Sequence, residues 1–493
     1  MAIIAAYAMP HPPLAIPGVG RGQEKEIANT LAAFDEAARE IASCAPETIV
    51  YITPHNVIYA DYFHISPGTS ARGDFSQFRD GKTQLATEYD VELALEIEQL
   101  AEASGIPAGG LGERDKKLDH GVMVPMWFID RAFAGGGGGG GGGYIGREAV
   151  GAGEAAKPGG NAESPLNPRS VRVSQSGMAP TDHYKIGQIL VEAAENTGRR
   201  TILIASSDMS HKLKSDGPYG YVPEGPEFDE KFAKCLDDGD FLELMKIPAS
   251  LRERAAECGY NSLMVLAGCF DKRKVSSRLL SYEGPYGVGY AIASFKPGEH
   301  DESRDFLDQF ERYSREETAK SRDGEDEYRA LARSSLEHTI MNGGELAVPK
   351  GLSGELLKNR AGVFVSLYKN GRLRGCIGTI APTTKSVAHE IIQNAISAGL
   401  KDTRFDPVTA DELPHLVYKV DVLSEAEPID GPEALDVRRY GVIVSSGYRR
   451  GLLLPNLDGV DTVEEQISIA RQKAGISEGT PIKLERFEVV RHE

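Results

Sequence analysis

The stretch Thr201–His211, TILIASSDMSH, decides the fold. Its first half is an apolar run with β-branched residues, the composition of a strand buried on both faces. Its second half turns abruptly polar, with Ser206, Ser207, Asp208, Ser210 and His211. In α/β proteins ligands bind beyond the carboxyl ends of such strands. Two earlier apolar runs end in the same way. Residues 2–8 lead into Met9-Pro10-His11-Pro12-Pro13, and TIVYI at 48–52 leads into Thr53-Pro54-His55-Asn56. Proline cannot continue a central strand, so His11 and His55 stand where strands stop.

Strands and helices alternate around these three runs. Amphipathic helices are predicted over 23–43 and 87–103, with a short strand at 61–66 between them. Leu118-Asp119-His120-Gly121-Val122-Met123-Val124-Pro125 opens another apolar stretch. Further helices are predicted from Asp182 to Asn196, over 227–247 and over 258–270, before a last strand at 289–295. The expected fold is α/β, a mostly parallel sheet with helices on both faces, filling residues 1–297. Residues 134–169 interrupt it with nine consecutive glycines, Gly135 to Gly143, and little apolar content. Such a segment cannot offset its own ordering entropy, and it reads as a disordered surface insertion.

Residues 298–322 are densely charged and read as a linker. The remainder, 323–493, has a different, α+β pattern. It comprises a helix near 326–341, alternating Val363, Val365 and Leu367, a hairpin turn at Asn370-Gly371, a helix at 384–399, a helix at 461–474 and several strands. Composition bounds the task. Net charge is −18 and pI about 5.2, which argues against nucleic acid as the main partner. No apolar run is long enough for a membrane span, and the start lacks the basic region of a signal peptide. The five cysteines are scattered without a CxxC, as in a reduced, cytoplasmic protein.

The chemistry lies in the histidines. His11, His55 and His211 follow three separate strands whose ends share one rim. Two imidazoles and a carboxylate on one face of a divalent ion leave positions open for substrate and dioxygen, the arrangement of non-haem Fe(II) sites. A further histidine titrating near neutrality can serve as general base. Each histidine taken alone reads as a capping or surface residue; three at three strand ends read as a site. Ser207, Asp208 and His211 also contain the side chains of a hydrolase triad, but no GxSxG elbow occurs. Asp208 reads better as the acceptor that orients an imidazole.

Met9-Pro10-His11-Pro12-Pro13, Thr53-Pro54-His55, Asp119-His120-Gly121 with Pro125, and Ser206-Ser207-Asp208-Met209-Ser210-His211 together resemble the class III extradiol ring-cleavage dioxygenases of the LigB type and the related Memo proteins. The resemblance implies His11 and His55 as metal ligands, His211 as catalytic base and His120 as a second pocket histidine. The third ligand falls at Glu257-Cys258-Gly259. Glu257 would complete an Fe(II) facial triad and Cys258 would give a softer shell; Glu283 is a weaker carboxylate candidate. Fe(II) is the implied cofactor, with Zn(II) the alternative because the same ligands suit a zinc hydrolase. The implied substrates are a catechol-like diol and dioxygen.

Leu373-Arg374-Gly375-Cys376-Ile377-Gly378, residues 398–407 (AGLKDTRFDP) and Asp411-Glu412-Leu413-Pro414 resemble the AMMECR family. Cys376 lies between two glycines that leave its thiol approachable, and Arg374, Arg404 and Lys401 are the cations expected to lower its pKa or hold an anion. The alternative is a small buried thiol in a tight turn; His338 and His389 are candidate partners. Memo-like and AMMECR-like proteins recur with a radical-SAM protein in the AmmeMemoRadiSam set, which implies such a protein as partner. Self-association is left open.

Overall fold

The structure is a computed structural model that describes residues 2–112, 117–135, 167–457 and 459–493. The predicted insertion therefore lies mainly outside the described residues. The chain parts into two compact units, the second formed by Glu311–Glu493 together with Pro248–Ser250.

The first unit is built on six strands: β1 (Ile3–Met9), β2 (Thr48–Thr53), β3 (Arg169–Ser174), β4 (Thr201–Ser206), β5 (Arg273–Glu283) and β6 (Tyr290–His300). Their order is β3-β2-β4-β1-β6-β5. The four strands from β3 to β1 are parallel, and β6 and β5 add antiparallel to the β1 edge. The sheet is thus mostly parallel, as the sequence implies. The antiparallel β5 was not foreseen. Its sequence RKVSSRLLSYE alternates exposed and half-buried residues, the pattern of an edge strand with little apolar signal.

Strand alternation divides the core between two faces. Ala6, Ala8, Val50, Ile52, Leu203 and Ala205 point to one face, against helices α2 (Val91–Ala103), α4 (Pro180–Asn196) and α6 (Tyr260–Gly268). Ala5, Tyr7, Ile49, Tyr51, Ile202 and Ile204 point to the other, against α1 (Ala28–Cys44) and α3 (His120–Phe133). Each fully buried Ile, Leu or Val side chain contributes about 1.5–3 kcal/mol, so a six-residue strand buried on both faces has strong reason to occupy the centre. The segment predicted as one helix over 227–247 is two, α5 (Glu224–Asp238) and a short turn at Phe241–Met245. They part at Gly239, whose φ of 65° ends the first, while Asp240 caps the second.

Parallel register aligns the strand ends. Met9 is level with Ser206, Ile52 with Ala205, and Thr53 with Ser174. The residues that follow are therefore delivered to a single rim.

The charged stretch read as a linker is largely helical, from Phe306 to Asp323. Lys320–Glu317 and Arg315–Glu311 pairs one turn apart support it. The second unit holds α7 (Glu327–Asn342), α8 (Val387–Leu400), α9 (Val463–Lys473) and two antiparallel four-stranded sheets. One sheet joins β7 (Val363–Lys369), β8 (Arg372–Gly378), β9 (Leu416–Leu423) and the terminal Val489–His492. Asn370 and Gly371 both have positive φ, 52° and 74°, as the predicted hairpin turn requires. Among the described residues, no helix is long and apolar enough to cross a membrane.

Candidate metal centre

His11, His55 and His120 meet at the rim. One ligand atom from each lies within 4.8 Å of the others. The Nε2 atoms of His11 and His55 are 2.9 Å apart, and the His55 and His120 rings are 4.0 Å apart, centre to centre. His11 is 1% exposed, and burial pushes its pKa well below the usual imidazole value, so the ring is neutral. Burial likewise lowers His120 to about 3, assisted by the charge of His55.

The tautomer of His11 follows from its neighbours. The Ser206 hydroxyl lies 2.6 Å from the Gly121 carbonyl and 2.8 Å from His11 Nδ1. A carbonyl only accepts, so the single hydroxyl proton goes to Gly121. Nδ1–H of His11 must then donate to Ser206, and Nε2 carries the lone pair that faces His55. This is how metal-binding imidazoles are oriented. Asp208 holds the same residue from its backbone, accepting the His11 N–H at 2.8 Å; its Oδ2 is 3.6 Å from His11 Nε2.

Asp119 organises the other two rings. Its carboxylate caps α3, accepting from Val122 N–H, and so places His120 as the first helical residue. The same oxygen accepts the Thr53 hydroxyl at 2.6 Å, and Thr53 Oγ1 accepts the His55 N–H at 3.2 Å. Arg172, buried in β3, lies 3.4 Å from the second carboxylate oxygen. Gly121 lets this helix end approach the strands. A Cβ there would stand 2.5 Å from Thr53 Oγ1. Gly121→Ala is expected to cost about 1–3 kcal/mol through overpacking and to displace Thr53 with His55. Denaturant melts and a metal titration of the variant check this, and an unchanged metal affinity would refute the crowding argument.

The third-ligand candidates separate. Glu257 accepts the Tyr260 N–H at 2.6 Å and so serves the start of α6. Cys258 faces the cluster, its Sγ 3.5 Å from His11 Nε2. Glu283 binds Thr30 and Asn29 at the start of α1. His211 has a buried Nε2 with no hydrogen-bond partner, and its ring stacks on Tyr219 at 5.2 Å. Burial, then the charge of His55, lowers its pKa to about 4, below the near-neutral value expected of a general base. His183 is structural, receiving Ser176 N–H on Nε2. Sequence reading named Ser206 and Thr53 only within their motifs, not as partners of His11 and Asp119, and missed Arg172 altogether. The hydroxyls at the ends of β2 and β4 were the available signal.

The donor set fits a divalent transition metal. Neutral imidazoles offer lone pairs at one point, with a thiol beside them. Two nitrogens each about 2.1 Å from an ion lie about 3.0 Å apart at right angles and about 3.4 Å apart at the tetrahedral angle. The observed 2.9 Å is nearer the first.

In the second unit Cys376 is half-buried and accepts a hydrogen bond from Ser366 Oγ at 3.2 Å. Asp402 receives the Cys376 N–H at 2.9 Å and pairs with Arg404, which also reaches the Cys376 carbonyl. Arg374 pairs with Glu412 instead, and Lys401 is exposed beyond α8. Burial raises the thiol pKa, and Ser366 and Arg404 only partly offset it, contrary to the expected lowering. His338 is half-buried beside Asn342, and His389 bonds Ser386.

Comparison with known proteins follows this division. The family model described as the catalytic LigB subunit of aromatic ring-opening dioxygenase matches residues 5–293, and the AMMECR1 model matches 329–492. A Clostridium acetobutylicum protein is 37% identical over 501 aligned positions, covering 100% of this chain and 99% of its own length. A Thermotoga maritima protein is 48% identical over 171 residues, 34% of this chain and 98% of its own. An uncharacterised Pyrococcus horikoshii protein of known crystal structure is 32% identical, covering 33% of this chain and 88% of its own, with a TM-score of 0.31. With the match to its first unit spanning more than half of the polypeptide, the chain belongs to the LigB family of aromatic ring-opening dioxygenase subunits and carries an AMMECR1 domain in its second half.

Proposed function

We propose that the first unit is a mononuclear metal-dependent oxygenase of the extradiol type, acting on a catechol-like diol. The observation that carries this reading is the junction of three imidazoles beside the unpartnered Nε2 of His211. His11 and His55 would hold the ion, with His120 next to them. Fe(II) bound there would supply a Lewis acid that gathers the diol oxygens and dioxygen. The chain's own residues do the rest. Ser206 keeps the His11 proton on Nδ1, away from the ion. Asp208 fixes the His11 backbone. His211 Nε2 accepts the proton that a substrate hydroxyl releases, and Tyr219, stacked on that ring, gives an aromatic substrate a flat wall.

Cys258 favours a second reading. A half-buried thiol 3.5 Å from His11 Nε2, with Glu257 engaged elsewhere, makes a softer shell than an oxygenase needs. The unit would then be a metal or redox partner of a radical-SAM protein, and the AMMECR1 domain would serve the same pathway. Anaerobic loading with Fe(II), followed by oxygen and a panel of catechols, decides between them. Oxygen uptake with a yellow ring-opened product supports the oxygenase. Retained iron without uptake supports the partner role. Zinc in the protein purified without added metal supports a zinc hydrolase.

A further inference from the structure

Pro125 is the sixth residue of α3, at a position where proline normally damages a helix. Proline has no N–H, so the helical hydrogen bond from residue 125 back to the carbonyl of residue 121 cannot form. Its ring also crowds that carbonyl and turns it outward. Residue 121 is Gly121, and its carbonyl is the one that accepts the Ser206 hydroxyl at 2.6 Å. Ser206 in turn accepts from His11 Nδ1 at 2.8 Å. All the side chains in this chain of contacts are buried.

We infer that Pro125 is a positioning residue for the metal centre: by leaving the Gly121 carbonyl free it orients the Ser206 proton, and so selects the His11 tautomer that presents Nε2 to the ion. An ordinary residue at 125 would bring an N–H to Gly121. A carbonyl can accept twice, so the competition is one of direction: that N–H would draw the Gly121 carbonyl back along the helix axis, away from Ser206, and the Ser206 proton would turn to His11 Nδ1. The ring proton would move to Nε2, the nitrogen that faces His55, where it opposes metal binding. The motif that joins Asp119, His120, Gly121 and Pro125 is thereby accounted for residue by residue. Asp119 caps, His120 enters the cluster, Gly121 gives close approach and a free carbonyl, and Pro125 keeps it free.

The inference rests on the metal reading for its effect on affinity, but not for the tautomer, so two measurements separate them. Nitrogen-15 NMR of the metal-free, histidine-labelled full chain reads the His11 tautomer. Wild type is expected to show the proton on Nδ1, and Pro125→Ala a shift toward Nε2. Titration with Co(II) alone reads the affinity. Ser206→Ala is expected to weaken it about 10–100-fold and Pro125→Ala about 3–10-fold. In the Ser206→Ala background, Pro125→Ala is expected to change nothing beyond about twofold, because the relay is already cut. Pro125→Val, which restores the N–H and fills more of the ring's volume, serves if the alanine variant does not fold. A Pro125→Ala effect of equal size in both backgrounds, or a His11 tautomer unchanged by it, overturns the inference. If wild type binds no Co(II) yet the tautomer moves as described, the metal reading fails and the relay stands.

Discussion

His55→Ala is expected to weaken divalent metal binding by about 10²–10³-fold while leaving the fold intact. Four-ligand zinc sites bind with about 10–16 kcal/mol, or about 2.5–4 kcal/mol per ligand. At about 1.4 kcal/mol per factor of ten, one lost ligand gives that range. His55 is the informative choice among the three. It is exposed, whereas His11 is only 1% exposed, so truncating His11 would also open a cavity in the rim. An exposed substitution costs within about 0.5 kcal/mol of stability. Wild type and variant are compared by competition against a chromophoric chelator, with melts of the metal-free proteins alongside. Equal affinities would remove His55 from the site. A large fall in the metal-free melting temperature would mean that His55 supports the loop instead.

What the sequence disclosed about this site follows from what sets each residue's place. His11 and His55 were legible because strand ends are fixed by parallel register, and register follows from apolar runs such as TIVYI and TILIA. The choice between Glu257 and Cys258 was not legible. They are adjacent, and only the direction of the turn into α6 decides which side chain faces His11. Ser206 and Thr53 were hidden for another reason. A hydroxyl at a strand end looks like the strand's last residue until its partners are known, and those partners, Gly121 and Asp119, lie far along the chain. β5 escaped because an edge strand with Arg and Ser on its open side carries a weak period-two signal. The linker assignment underrated helix pairing. Glu, Lys and Arg at one-turn spacing lower apolar content without lowering helix propensity. Cys376 shows the limit of arguing charge from neighbours in sequence. Arg374 and Lys401 are close to the motif, yet Glu412 claims the first and solvent the second.

Glu390→Ala is expected to destabilise the second unit by about 3 kcal/mol, the scale of one or two charge-assisted hydrogen bonds, or roughly 6–12 °C in melting temperature for a unit of this size. Glu390 is 1% exposed on α8. Its carboxylate accepts the hydroxyls of Thr379 at 2.8 Å and Thr383 at 2.6 Å, and the Thr384 N–H at 2.9 Å. It therefore ties down the loop that leaves β8 just after Cys376-Ile377-Gly378. Every group around it is a donor, so a residue that only accepts is required. Glu390→Gln, which keeps the volume but turns an NH2 toward those donors, is expected to lose most of the same stability. Retention of wild-type stability by the glutamine variant would show that packing, not charge, holds the loop. The pH dependence gives an independent check. Burial would raise the Glu390 pKa, but the Thr383, Thr384 and Thr379 hydrogen bonds outweigh it and hold it below the usual carboxylate value. Glu412, paired with Arg374 and Lys369 against its own burial, and Asp402, bound by Arg404, are both near 2. A folded-state pKa below the unfolded one, about 4 for carboxylates, means stability that is present above pH 4 and lost as pH falls toward the folded value. The second unit should therefore lose stability steadily between about pH 4.5 and 2. Glu390→Ala should show a shallower acid dependence than wild type, because one contributing carboxylate is gone. A variant as acid-sensitive as wild type would mean that the loop's hydroxyls and N–H groups are satisfied without Glu390 ionised.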